Sequence, residues 1–281
     1  MFKRAGEHPP GLRTRGMFLA AILGFLAMSA GNTAFAAVHR IDVGGATLHA
    51  EVDGPEGAPA ILMWNGAADT TRMWDLVVPR LADRFRVIRF DVRGTGQSTP
   101  SESDSQYTLE QYSKDAITLL QHFGYERSII WSMAWGSRAA IAFAALRSER
   151  IARAAFFDAS IGPADVRAQA AGHLRAIELQ IRAGIEPFER PEGWNVHADV
   201  DAARQATAAA AKYDLSGVVD SLAMPVLVAT GDKDPNLASS REIVERVAGA
   251  RLVVMENVGH GSVLQRPDLT SEIFDRFMRE R

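Results

Sequence analysis

Read for apolar and polar positions, the chain alternates between short unbroken apolar runs and longer segments whose apolar residues recur every three to four positions. The unbroken runs are AILMW at 60–64, RVIRFDV at 86–92, SIIWS at 128–132, ARAAFFD at 152–158, PVLVATG at 225–231 and ARLVVME at 250–256. Short runs of this kind, rich in β-branched and aromatic residues, predict strands covered on both faces, as in a parallel sheet. Two earlier runs, HRIDV at 39–43 and ATLHAEVDG at 46–54, are only half apolar and are separated by Gly44-Gly45, which predicts a hairpin of half-exposed strands. Helical patterns fill the gaps at 70–83, 107–124, 136–149, 239–249 and 268–280. The second of these opens on a Thr108-to-Gln111 capping box and stops at Gly124. Parallel strands need crossovers of about this length. The expectation is a doubly wound α/β sheet with an antiparallel start.

One stretch breaks the alternation. From 159 to 223 the pattern offers no strand, only helical segments at 164–184 and 203–213 around the loop PFERPEGWNVH. An insert placed over the strand ends, where α/β proteins bind ligands, predicts a helical lid.

Composition narrows the picture. The 281 residues are 47% apolar and 23% charged, which suits a globular fold with a large core. The net charge of −3 lacks the basic excess that a nucleic-acid partner requires. No cysteine is present, which excludes disulfides, thiolate metal sites and a Cys nucleophile. At the start, Lys3, Arg4, Arg13 and Arg15 precede the apolar run MFLAAILGFLAMSA and the small-residue close AFA. That order predicts a signal peptide over 1–36, cleaved before Ala37, and a secreted or periplasmic protein with no stable membrane insertion after cleavage. Residues 37–281 then form one domain.

The candidate chemistry lies at the ends of the predicted strands. WNGAADTTRMW follows the first core strand, DVRGTGQS the next, WSMAWGS the third, ATGDKDP the fifth and ENVGHGSVLQRPD the last. Together, in this order, these motifs resemble the α/β-hydrolase fold superfamily of serine-hydrolase type with a helical lid, over nearly all of 38–281. The resemblance implies His260 as the base and Asp234 as the carboxylate that orients it, with Asp158 as a second candidate orienter. It implies backbone N–H groups of Ala67 and Trp135 as an oxyanion hole, with Asn65 where a histidine is usual. Trp64, Asn65 and Trp194 are candidate substrate contacts. Asp91 and Arg93 read as structural, forming turn caps and a salt bridge. No metal or organic cofactor is implied, and the expected partner is a small molecule.

The nucleophile position is the departure from the pattern. If Ser132 were the nucleophile, Ile130 would occupy a flank where the sharp turn tolerates only a small residue. With Ala134 at the centre, the flanks are Ser132 and Gly136, both small, so Ala134 is placed at the nucleophile position and Ser132 is kept as the alternative. Alanine there permits several readings: a serine removed by substitution, a non-hydrolytic enzyme using the His–Asp dyad as base, or an inactive ligand-binding member of the fold. The leading expectation is a hydrolase acting on a small carboxylic ester or lactone.

Overall fold

The computed structural model describes residues 36–67 and 69–280; the expected signal peptide falls almost wholly outside them. Eight strands form one sheet: β1 (Ala37–Asp42), β2 (Thr47–Asp53), β3 (Ala60–Trp64), β4 (Arg86–Phe90), β5 (Ser128–Met133), β6 (Ile151–Phe157), β7 (Val226–Gly231) and β8 (Arg251–Met255). Their spatial order is β1-β2-β4-β3-β5-β6-β7-β8. β1 pairs with β2 and β2 with β4 antiparallel, and every later pair is parallel. The helices are α1 (Leu109–His122), α2 (Trp135–Leu146), α3 (Val166–Arg182), α4 (Val200–Ala208), α5 (Leu237–Arg246), α6 (Ser262–Gln265) and α7 (Pro267–Arg279). Among the described residues no helix is long and apolar enough to cross a membrane.

The unbroken apolar runs are explained by burial on both sides. Along β3, Leu62 and Trp64 face one core with α1, α2 and α5, while Ile61 and Met63 face a second core with α7. The same alternation splits Ile88 from Val87, Ile130 from Trp131, and Phe156 from Phe157. Strand side chains point alternately to opposite faces, so a strand inside a helix-sheet-helix sandwich is apolar at most positions on both faces.

The capping box at α1 forms as expected, with Thr108 Oγ1 accepting from Gln111 N at 3.1 Å. The helix expected over 70–83 does not form as one element. Two 3₁₀ turns, Thr71–Trp74 and Val78–Arg80, replace it. Pro79 has no N–H to give the preceding turn, so a continuous α-helix is broken there.

Asp91 and Arg93 are structural, but they do not pair with each other. Asp91 accepts from the N–H groups of Thr71 (2.9 Å) and Gln97 (3.0 Å), tying down two loops at the strand ends. Arg93 instead grips Asp115 of α1 through Nε (2.7 Å) and Nη2 (2.6 Å), and both side chains are buried. Removing one partner of a buried pair leaves an uncompensated charge. Arg93→Met is therefore expected to cost ~3–5 kcal/mol in urea unfolding, with Arg93→Met/Asp115→Leu recovering most of the loss.

Candidate active site

β5 passes into α2 through one residue, Ala134, with φ 55° and ψ −115°. A non-glycine residue in this region is strained by ~1–3 kcal/mol and persists only where its surroundings force it. Two features do so. The Ala134 N–H donates to Phe157 O on neighbouring β6 at 2.8 Å, and its own carbonyl accepts from Ser137 N at 3.0 Å. On the other side, α2 presses onto the end of β3: a Cβ added to Gly136 would lie 2.3 Å from Trp64 O and 2.4 Å from Asn65 O. Only glycine fits there, and the first turn of α2 is therefore fixed with its N-terminus facing the cavity.

Ala134 stands at the apex of this corner and lines a cavity of about 640 Å³ together with Ala67, Trp135 and His260. Ser132, the alternative nucleophile, is not there. It is fully buried in β5, with Oγ 3.0 Å from Ser137 Oγ and 3.3 Å from Ala155 O. Ser132 keeps strand conformation while the chain leaves it at Ala134 (φ 55°), so only the later residue turns toward the cavity.

His260 lies in the turn between β8 and α6. Its Nδ1 is 2.9 Å from Asp234 Oδ2, and Asp234, after β7, is buried. The other Asp234 oxygen accepts from Asn236 N at 2.9 Å. Burial works to lower the His260 pKa. The Asp234 hydrogen bond and the charges of Asp158, Asp234 and Asp69 outweigh it, and the net shift is upward. Asp158, the second candidate orienter, holds the turn rather than the ring. Its Oδ2 accepts from Gly261 N (3.0 Å) and Ser262 N (2.7 Å), while Oδ1 is buried without a partner. Burial, then the Asp234 charge, push its carboxyl up to about 7. Asp158, Asp234 and His260 each bring a donor atom within 4.8 Å of the others. Their contacts are with one another and with backbone amides, an arrangement that orients an imidazole.

Two expected substrate contacts lie elsewhere. Trp64 is buried in the core against Phe90 and Phe143, because β3 turns it to the α1–α2 face. Asn65 is a structural clamp: Nδ2 donates to Phe90 O (3.0 Å) and Asp91 Oδ1 (3.1 Å), and Oδ1 accepts from Trp74 Nε1 at 2.8 Å. Trp194 does line the cavity, and Arg190 stacks 4.5 Å above its ring.

The segment between β6 and β7 roofs the cavity. A Cβ on Gly172 of α3 would lie 1.9 Å from Lys233 O, and one on Gly259 would lie 2.6 Å from His173 Cα. These glycines let α3 rest backbone to backbone on the turns that carry Asp234 and His260. His173 Nδ1 is 2.8 Å from His260 O, and Arg190 Nη2 is 3.0 Å from His173 Nε2. Arg138 of α2 donates to Ser160 O and Gly162 O at one end of the segment and to Ala210 O (3.1 Å) near the other.

Residues 61–273 match the Alpha/beta hydrolase family. The chain belongs to that family. The 3-oxoadipate enol-lactonase 1 of Acinetobacter baylyi is 25% identical over 257 residues, covering 84% of this chain and 94% of that protein. An enol-lactonase from Burkholderia xenovorans superposes with a TM-score of 0.73 at 25% identity, covering 86% of this chain and all of the other. A thermophilic esterase from Thermogutta terrifontis shares the fold at 22% identity, TM-score 0.69, over 87% of this chain and 98% of its own.

The sequence reading missed Asp69, His173, Arg138 and Arg190. Asp69 is only 7% exposed, lines the cavity, and has an oxygen 2.1 Å from where a Gly66 Cβ would be. Burial pushes its carboxyl up to about 7, against the opposing charges of His260 and Arg190. An acid in an otherwise small and apolar loop, GAAD, was its signal. For the corner itself, Gly136→Ala is expected to cost ~1–3 kcal/mol by overpacking against the β3 carbonyls, measured by chemical denaturation.

Proposed function

We propose that this hydrolase-family chain cleaves a small carboxylic ester or lactone by direct attack of water, with His260 as general base and Asp234 holding its tautomer. The observation that carries the reading is the His260–Asp234 contact of 2.9 Å at a cavity whose corner residue, Ala134, has no hydroxyl. With Nδ1 engaged by Asp234, Nε2 of neutral His260 is the basic nitrogen. It removes a proton from water as the water oxygen bonds to the carbonyl carbon. The N–H groups of Ala67 and Trp135 stabilise the oxyanion; they are backbone donors, so the loss of a serine side chain leaves them in place. The relatives named for enol-lactonase activity support a lactone or ester as the substrate class. Trp194 and the other apolar groups of the cavity suit a compact hydrocarbon body, and Arg190 under the roof suits a polar end. No metal or organic cofactor enters this scheme.

The Ala134 methyl also favours a second reading, in which the same dyad takes a proton from a bound substrate and no hydrolysis follows. A third outcome, a member that only binds ligand, is separated by the same experiment. Parent and Ala134→Ser are assayed on p-nitrophenyl butyrate and on δ-valerolactone. The serine variant is expected to exceed the parent by ~10²-fold or more on the aryl ester, since a base-activated hydroxyl then sits at the corner. His260→Ala is expected to reduce both to background. Absence of hydrolysis in the parent at any pH would remove the hydrolytic reading, and ligand-dependent stabilisation alone would leave the binding one.

The pH dependence follows from the direction of the His260 shift. The neutral imidazole is the base and the shift is upward from 6.5, so kcat/KM on p-nitrophenyl butyrate, whose leaving group needs no acid, should rise with pH and reach half its plateau above 6.5. Asp234→Asn should move that midpoint downward, because it removes the hydrogen bond that favours the imidazolium.

A further inference from the structure

Three carboxyl groups, Asp69, Asp158 and Asp234, act on one imidazole. Asp234 orients the ring and Asp158 holds the turn beneath it, which leaves Asp69 without an assigned task. Its position is specific. It follows the loop that carries Ala67, it is more than nine-tenths buried, and it lines the same cavity as Ala134 and His260. Asp69 N donates to Gly66 O at 3.2 Å, closing a tight turn that brings the carboxyl over Gly66. Among the described residues, that carboxyl has neither a hydrogen-bond partner nor an ion pair. The carboxyl faces the cavity rather than a protein partner, so it is available to whatever the cavity holds.

An ionised carboxylate beside the Ala67 and Trp135 N–H groups would repel the oxyanion those groups are there to receive. A protonated carboxyl adds a donor instead. We propose that Asp69 is a second catalytic residue, a carboxylic acid held protonated at rest that delivers its proton to the departing oxygen of the substrate. The proposal rests on the hydrolytic reading above. The balance is complete: His260 Nε2 takes a proton from water, the hydroxide oxygen bonds to the carbonyl carbon, and the C–O bond to the leaving group breaks. The electron pair of that bond, with the Asp69 proton, forms the alcohol. The site is left with imidazolium His260 and carboxylate Asp69, an opposite-charge pair, and one proton moving from the first to the second restores the resting state. Burial raises the Asp69 carboxyl to about 7, which keeps a proton available near neutral pH. The charged and titratable groups around it are His260 from the last turn, Arg190 and His173 from the roof, and Asp158 and Asp234 from the strand ends.

The test compares the parent with Asp69→Asn and Asp69→Ala, after near-ultraviolet circular dichroism has shown that each is folded. An acid matters where the leaving alkoxide is basic and little where it is a p-nitrophenolate. Both variants should lose ~10²-fold in kcat on δ-valerolactone while changing less than ~3-fold on p-nitrophenyl butyrate. The fall in lactone rate as pH rises through about 7 should vanish with them. A second measurement needs no turnover: the affinity of δ-valerolactam, a lactone-shaped amide, followed by tryptophan fluorescence. In the parent it should tighten as pH rises through about 7, since the ionised carboxylate accepts from the lactam N–H that stands where the lactone's departing oxygen would; in Asp69→Asn that dependence should disappear. Hydrolysis with an unchanged lactone-to-aryl ratio and pH profile in both variants overturns the role of Asp69 alone. No hydrolysis by the parent, with lactam binding that loses its pH dependence in Asp69→Asn, overturns the hydrolytic reading but keeps Asp69 as the proton donor of the site. No hydrolysis and no Asp69-dependent lactam binding overturns both.

Discussion

The sheet ends in a backbone corner at Ala134 that the polypeptide would not adopt by itself, and the placement of every other group in the site is measured from it. The corner is held by a hydrogen bond to Phe157 O and by the approach of Gly136 to the carbonyls of Trp64 and Asn65. Neither depends on the side chain at the apex. The apex therefore keeps its shape with an alanine, together with the helix N-terminus behind it, whose first N–H groups have no partner within the helix. Two other non-glycine residues have positive φ among the described residues, Asp158 (51°) and Asn257 (56°). Asp158 ends β6 and Asn257 precedes the His260 turn, so the backbone strain of the molecule gathers at the strand ends around one cavity. Such strain is found where a fold gives up stability to hold reacting groups in place.

The electrostatic arrangement has the same economy. One half-buried imidazole is surrounded by three acids, and a dry cleft cannot hold all three ionised at modest cost. The three sit in different hydrogen-bonding environments. Asp234 accepts hydrogen bonds from a ring and from an amide. Asp158 accepts two amides on one oxygen and has nothing on the other, and Asp69 has no partner.

The roof is tied to this chemistry by the main chain. α3 lies against the acid and histidine turns through glycines on each side, His173 touches the carbonyl of His260, and Arg138 joins the two ends of the insert. A shift of α3 would move the backbone on which His260 sits. Substrate enclosure and base orientation are thus properties of one packed unit rather than of a lid added to a finished site.

Period and order along the chain were enough to read the layered α/β architecture, because a strand buried on both faces can only be written as an unbroken apolar run. The same holds for the corner: Ile130 cannot flank it and Gly136 can, so Ala134 was identifiable as the apex from sizes alone. The pairing of His260 with Asp234 was legible as a resemblance in the order of motifs. Other features required three dimensions. Side chains of Trp64 and Asn65 lie at the right place in sequence but point into the core and into a loop clamp, since strand alternation and local hydrogen bonding decide direction. Arg93 finds Asp115 on α1 rather than its near neighbour Asp91. Asp69 looks in sequence like one more loop acid; only the fold buries it at the cavity that His260 lines and leaves its carboxyl without a partner among the described residues. Sequence by itself determined the strands, most of the helices and their order, and favoured Ala134 for the corner, because these follow from local pattern and residue size. Tertiary structure alone decided which polar groups are dehydrated together, and that is what sets their chemistry.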